Sequence, residues 1–158
     1  MSLDYSYIQN NLKENSYRLI GSGSGRKVYD LGNGYVVKVA MNRKGIAQNE
    51  AENYIASSDN SDLFARIQTM SKDSIMLIME KADRIRSISE VWRYYKVRNN
   101  WELFQRKEFR DIIIKHKLQR ADLCRASSWG MVKGKIVIID YGFTKEVRNR
   151  YYSLFRFG

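Results

Sequence analysis

Residues 121–142 read ADLCRASSWGMVKGKIVIIDYG, and this stretch decides the fold. It begins with an acidic residue, Asp122, and ends in Asp140-Tyr141-Gly142. Between them lie two short apolar runs separated by Lys133-Gly134, a pattern that predicts a β-hairpin. The hairpin would set Asp140 at the end of its second strand, 18 residues after the first aspartate.

A glycine-rich turn nearer the N-terminus supplies a second pattern. It lies between two predicted strands, residues 17–21 and 27–30, and an Asn-Gly turn then leads into a third strand, Tyr35–Ala40. That strand carries Lys38 at its centre, where a lysine is costly unless it meets an anion. Backbone amides, a strand lysine and carboxylates in this order are the parts of a phosphate-binding site.

Residues 17–142 resemble the protein kinase-like superfamily, in particular its small members among the aminoglycoside-phosphotransferase-like and atypical kinases. The family loop G-x-G-x-x-G-x-V is matched here except that Arg26 stands where the third glycine is expected. Lys38, in Val-Val-Lys-Val, matches the lysine that binds the phosphates of ATP. By this resemblance, the residues that cover the phosphates are Gly21, Ser22, Gly23, Ser24, Gly25 and Val28.

The resemblance also implies a helix glutamate that holds Lys38. Residues 45–58 predict a helix with an apolar stripe and two candidate glutamates, Glu50 and Glu52, beside it. Periodicity does not choose between them, but the family register, with an aliphatic residue three positions later, favours Glu52. The predicted stripe consists of Ala47, Ala51, Tyr54 and Ile55.

Two further predicted strands, residues 63–69 and 74–79, lead into a segment that resembles the kinase hinge. In the family, the backbone of this segment binds the edge of the adenine ring. The corresponding residues here are Met79, Glu80 and Ala82.

In the second half of the chain, Asp122 resembles the catalytic aspartate that orients the acceptor hydroxyl, and Asp140 the magnesium ligand. Ser127 and Ser128 stand where the family has an asparagine as a second metal ligand, and no His-Arg precedes Asp122. The resemblance implies an Mg-ATP-dependent phosphotransferase acting on a hydroxyl acceptor. The alternative is a catalytically inactive kinase-like module that binds an acidic partner.

We therefore expect an α+β, two-lobed kinase-like fold in one domain. Residues 1–80 would form a five-stranded antiparallel sheet with one helix, and residues 81–158 a reduced helical C-terminal lobe. No apolar run approaches the roughly 20 residues of a membrane helix. The single cysteine, Cys124, is typical of a reducing compartment, so we expect a cytoplasmic protein without membrane contact.

The net charge of +11 is unevenly distributed. Residues 1–80 carry no net charge, whereas residues 81–120 carry +7. A helix predicted over residues 101–118 would bury Trp101, Phe104, Ile112 and Ile113 and expose the basic residues Arg106, Lys107, Arg110 and Lys117. This face would attract an acidic partner, either a nucleic acid or an acidic protein, or would serve only solubility.

Three other features have structural interpretations. The only histidine, His116, is expected at the edge of the core with a hydrogen-bond partner. Cys124 lacks a base at any recognisable spacing and is not expected to be a nucleophile. The spacing of Ile88, Val91, Trp92 and Tyr95 favours core packing over stacking on nucleotide bases.

Overall fold

The structure, a computed structural model, describes residues 4–152. Its N-terminal half contains the expected five-stranded antiparallel sheet, with strand order β1-β2-β3-β5-β4. The strands are β1 (Arg18–Ser22), β2 (Arg26–Asp30), β3 (Tyr35–Ala40), β4 (Ile67–Met70) and β5 (Met76–Glu80). The last two strands are shorter than the predicted ranges.

A second sheet contains the hairpin predicted from residues 121–142. Its strand order is β6-β7-β8, and the β7–β8 turn holds Lys133 and Gly134 at φ values of 51° and 80°. The segment before β4 joins this sheet, because the Ala65 N–H donates to the Ile138 carbonyl over 2.8 Å. This explains why β4 begins later than predicted. The strands are β6 (Asp83–Arg84), β7 (Trp129–Val132) and β8 (Lys135–Ile138).

Short helices surround the two sheets. The first was not predicted, and it begins where the Asp4 carboxylate accepts hydrogen bonds from two backbone N–H groups of the first turn. No helix within residues 4–152 is both long and apolar enough to span a membrane. The helices are α1 (Tyr5–Lys13), α2 (Arg43–Ser58), α3 (Ser89–Tyr95), α4 (Asn100–Gln105), α5 (Lys107–His116), α6 (Arg120–Leu123) and α7 (Lys145–Tyr152).

The buried face of α2 differs from the predicted apolar stripe. Tyr54 is 71% exposed, whereas Asn49 and Glu52 are completely buried beside Ile55. The helix turns these polar residues inward because both meet charged partners on the sheet, described below. The prediction for Tyr54 was therefore wrong.

The helix expected over residues 101–118 is two helices. Arg106 adopts an extended conformation between α4 and α5, at φ −65° and ψ 135°, and its guanidinium donates to the Tyr95 carbonyl over 2.6 Å. Phe104 is buried as predicted, along with Ile112 and Ile113 on α5, but Trp101 is 71% exposed. The break rotates the start of α4 relative to α5, so a single helical periodicity misplaced Trp101.

One hydrophobic core runs through both halves of the chain. It includes Val36 and Ile55 from the N-terminal half together with Phe109, Trp129 and Ile138 from the C-terminal half. The predicted core packing of α3 is confirmed. Val91 is fully buried, and Ile88, Trp92 and Tyr95 pack against the same core.

Candidate functional site

The register of β2 and β3 places three side chains on one face of the sheet. Val28 pairs with Lys38, and Arg26 pairs with Ala40 two residues away in each strand. Because side chains alternate between faces along a strand, Arg26, Val28 and Lys38 all point the same way. This is the face against which α2 packs its buried glutamate.

Lys38 is buried and has three acceptors. Its Nζ lies 2.9 and 3.1 Å from the two oxygens of Glu52 and 2.6 Å from the Ile139 carbonyl oxygen. Burial lowers the pKa of Lys38, and the Glu52 carboxylate opposes that shift. Of the two glutamates considered from the sequence, Glu52 makes the contact, and Glu50 is exposed.

Glu52 is the centre of the cluster. Its carboxylate is fully buried and accepts two hydrogen bonds from Lys38, two from Arg26 and one from the Tyr141 N–H. Burial alone would raise the pKa of Glu52, but Arg26 and Lys38 outweigh it and hold that pKa at about 2. One carboxylate thus joins β2, β3 and the Asp-Tyr-Gly segment.

Arg26 points into this cluster, where the family pattern has a glycine. Its guanidinium contacts Asn49 at 3.0 Å, Glu52 at 2.7 and 3.0 Å, and Asp140 at 3.1 Å. Only 7% of the side chain is exposed. Sequence reasoning treated Arg26 as a missing glycine. Its alternation with Val28 was the signal that it faces inward.

Asp140 is the exposed member of the cluster. Its side chain is 55% exposed, and Arg26 is its ion-pair partner among residues 4–152. The next two residues are fixed against the fold. The Tyr141 hydroxyl donates to the Ala65 carbonyl over 2.9 Å, and a β-carbon on Gly142 would lie 2.5 Å from the Gln48 carbonyl oxygen.

Asp122 lies in the short helix α6, near Asp140. Partial burial and then the Asp140 charge raise the pKa of Asp122 above its usual value. The two aspartates that the sequence singled out are therefore close enough to interact electrostatically.

The two serines proposed as metal ligands differ in exposure. Ser128 is buried, and its hydroxyl donates to the Asp122 carbonyl over 2.7 Å. Its hydroxyl hydrogen is therefore used within the loop, and its assignment as a metal ligand stays a prediction. Ser127 is exposed in the 3₁₀ turn that follows α6.

The glycine-rich segment forms a closed hairpin. β1 extends to Ser22, and the Gly23 N–H donates to the Arg26 carbonyl over 2.9 Å. Gly25 packs against the start of α2, where a β-carbon on Gly45 would collide with the Gly25 carbonyl oxygen. Close packing therefore explains Gly25, whereas Gly23 faces open space.

The segment expected to act as a hinge connects the two sheets. Met79 is buried in β5, the Glu80 N–H donates to the Arg66 carbonyl, and the Glu80 carboxylate accepts from the Arg66 N–H over 2.8 Å. Ala82 packs on Gly130, which has no side chain to displace it. In the pairing of β3 with β5, Met79 lies opposite Val36, two residues before Lys38, and Glu80 lies opposite Tyr35.

A cavity of about 480 Å³ lies elsewhere, between α2, β4 and the β7–β8 hairpin. Its lining includes Asp59, Arg66, Glu80 and Lys135 but not Lys38, Glu52 or Asp140. His116 lies nearby, buried as predicted, with its Nε2 2.6 Å from the Asp59 carboxylate.

A magnesium ion on Asp140 would compete with Arg26 for that carboxylate. Residues 4–152 contain no group of three or more acidic, histidine or cysteine side chains placed to hold a metal. Asp140 already accepts a hydrogen bond from Arg26, and two like unit charges 4 Å apart repel by about 4 kcal/mol at an effective dielectric of 20. A divalent cation on Asp140 would meet that repulsion from the guanidinium.

Comparisons with known proteins assign no activity. No protein-family model matches the chain, and no curated protein is similar to it. Similar solved structures include the streptomycin-ATP-APH(2'')-IIa ternary complex and the gentamicin-APH(2'')-IIa complex, with TM-scores of 0.48 and 0.46. Each is 16% identical and covers 90% of this chain and 71% of its own.

Proposed function

We propose that this chain is a kinase-like protein that binds ATP beside Lys38 and transfers its γ-phosphate to a hydroxyl acceptor. The observation that carries the proposal is the buried Lys38, held by Glu52 at 2.9 Å and by the Ile139 carbonyl at 2.6 Å. Desolvating a buried ion pair costs about as much as the pair returns, so stability does not explain it well. A lysine positioned to meet phosphate oxygens does.

The adenine ring would lie beside residues 79–82, below Val28. Val28 is partly buried and packs against the core, which offers an apolar surface above a flat ring. The Ala82 N–H and the Glu80 carbonyl are the backbone groups that would meet the edge of the ring. The hairpin that contains Gly23 would cover the phosphates.

Asp122 would accept the proton of the acceptor hydroxyl. As that proton moves to the carboxylate, the acceptor oxygen forms a bond to the γ-phosphorus, the bond from that phosphorus to the bridging oxygen breaks, and ADP leaves. The raised pKa of Asp122 makes its carboxylate a better proton acceptor than an ordinary aspartate.

A catalytically inactive binding module is the second candidate. Two observations favour it: Arg26 holds Asp140, and the Ser128 hydroxyl is turned into the loop. The acidic partner predicted from the charge of residues 81–120 belongs to this candidate. Transfer of phosphate distinguishes the two, because both would bind ATP.

The first experiment is ATP-induced thermal stabilisation, since a ligand specific for the folded state raises the melting temperature. Wild type should be stabilised in at least one of two buffers, with magnesium or with a chelator. Lys38→Ala should remove the shift, and the matched control Lys72→Ala, at an exposed turn, should keep it. No shift for wild type in either buffer would overturn the proposal.

Phosphate transfer is then followed with γ-labelled ATP. Wild type should release or transfer label, and Asp122→Asn should lose that activity while keeping the ATP-induced shift. Binding without any transfer from wild type would select the inactive module.

A further inference from the structure

Arg26 is held by two kinds of contact. Asn49 and Glu52, both fully buried, anchor the guanidinium through three hydrogen bonds of 2.7–3.0 Å. Asn49 is itself fixed, because its amide donates to the Ser74 carbonyl over 2.8 Å. The remaining contact, 3.1 Å to Asp140, involves a carboxylate that is 55% exposed.

These contacts differ in how readily they exchange. Breaking the anchors would leave Glu52 buried with fewer donors, which is costly. Breaking the contact to Asp140 returns an exposed carboxylate to water at little cost. The guanidinium therefore has one position, on its Nη2 atom, at which another anionic oxygen can replace Asp140.

We propose that Arg26 is a built-in cation that neutralises the bound phosphates in place of a metal ion. This inference rests on the proposed ATP site. A phosphate oxygen takes the position of the Asp140 carboxylate on Arg26 while Lys38 contacts the same phosphates from β3. Guanidinium groups bind phosphate through short, charge-assisted hydrogen bonds and need no deprotonation to do so.

Replacing the Asp140 carboxylate on Arg26 by a phosphate oxygen substitutes one negative charge for another. Arg26 and Lys38 face Glu52 and Asp140, so the two cations and two carboxylates cancel. When Asp140 turns to solvent, the cluster has one unmatched positive charge facing the phosphates. ATP then binds without magnesium, and magnesium on Asp140 gives no large gain.

The test measures the Kd of ATP by calorimetry in buffers containing either a chelator or magnesium. Wild type should bind in both buffers, and the two Kd values should differ by less than about tenfold. A tenfold difference corresponds to the free energy of about one charge-assisted contact. Arg26→Gln keeps a planar end group that can donate hydrogen bonds, on a shorter side chain, and removes the charge. It should weaken binding in chelator by about tenfold or more and make binding magnesium-dependent, because Asp140 is released.

Two controls separate this effect from unfolding and from general charge loss. Lys27→Gln removes one charge from the adjacent residue, which pairs with Val39 on the opposite face, and should leave both affinities unchanged. If Arg26→Gln does not fold, by its ligand-free melting curve, Arg26→Lys should still bind ATP in chelator because the charge remains.

Each outcome decides the matter. Wild type that binds ATP only with magnesium, a folded Arg26→Gln that binds in chelator as tightly as wild type, or a folded Arg26→Lys that does not bind in chelator would overturn the role of Arg26 and leave the ATP site standing. Wild type that binds ATP in neither buffer would refute the proposed site itself and this inference with it.

Discussion

Two parts of the site are built very differently: the cluster around Glu52, here called the back wall, and the pair Asp122 and Asp140, here called the floor. On the back wall, Glu52 is fully buried and accepts five hydrogen bonds from three segments of the chain. On the floor, Asp140 is 55% exposed with one ion pair, and Asp122 lies in a four-residue helix. The difference indicates that the position of Lys38 is fixed by several buried contacts. Asp122 and Asp140, the proposed reactive groups, have fewer such contacts.

The largest effect is expected from the back wall. Glu52→Ala leaves Arg26 and Lys38 buried without their carboxylate and should cost about 3–5 kcal/mol of the free energy of unfolding. Urea denaturation measures this directly. Glu50→Ala, on the exposed face of the same helix, should change stability by less than about 0.5 kcal/mol. Similar losses for both variants would contradict the difference between the two glutamates.

Acid should act on the same carboxylate. The folded-state pKa of Glu52, about 2, lies below its unfolded value of 4.5, so its contribution is complete above pH 4.5 and is lost as pH falls to 2. That contribution is about 3 kcal/mol. Carboxyl ¹³C NMR should show Glu52 titrating near pH 2. A midpoint between pH 4 and 5 would mean that Arg26 and Lys38 do not stabilise its charge.

The packing of the glycine hairpin gives a smaller effect. Gly45→Ala forces a β-carbon against the Gly25 carbonyl and should destabilise the fold by about 1–3 kcal/mol. Gly23→Ala, where nothing lies within 4 Å, should be nearly neutral in thermal unfolding. If Gly23→Ala were the more damaging of the two, the contact between the hairpin and α2 would be wrong.

Asp122→Asn should leave the free energy of unfolding unchanged or raise it slightly. The pKa of Asp122 is raised in the folded state, so its ionised form is disfavoured there, and removing the charge relieves the repulsion from Asp140. Thermal unfolding at pH 7 tests the sign. A clear loss of stability would show that the Asp122 carboxylate holds the fold together.

The smallest structural effect is expected at the basic residues around the N-terminus of α5. Lys107 and Arg110 are exposed, while Arg106 also contacts Glu108 and the Tyr95 carbonyl. Reversing all three to Glu should abolish salt-dependent binding of fluorescent RNA, DNA or an acidic peptide and preserve the ATP-induced shift. If wild type does not bind these ligands, or if binding changes neither with salt nor with the substitutions, the hypothesis of an acidic partner is refuted.

Order and spacing were sufficient to predict the elements that carry the site. The five strands and the β7–β8 hairpin follow from local patterns, namely alternation and a Lys-Gly turn. The contact between Lys38 and Glu52 was implied by the resemblance to the kinase-like family. The family register, with Ile55 three positions after the glutamate, favoured Glu52, which makes the contact, whereas apolar periodicity did not choose between the two glutamates.

The remainder depends on contacts between distant segments. Apolar periodicity misplaced Tyr54 because α2 buries Asn49 and Glu52 against charges on the sheet. The inward direction of Arg26 followed from its register with Val28, but its bond to Asp140 joins residues 114 apart in the chain. Such a contact leaves no local pattern in the sequence.

A crystal structure with a non-hydrolysable ATP analogue tests the central claim most directly. The account predicts phosphate oxygens within hydrogen-bonding distance of Lys38 Nζ and of Arg26 Nη2, with the Asp140 carboxylate turned toward solvent and the Glu52 contacts retained. An analogue bound in the cavity beside Asp59 and Lys135, or phosphates that contact neither Lys38 nor Arg26, would contradict it.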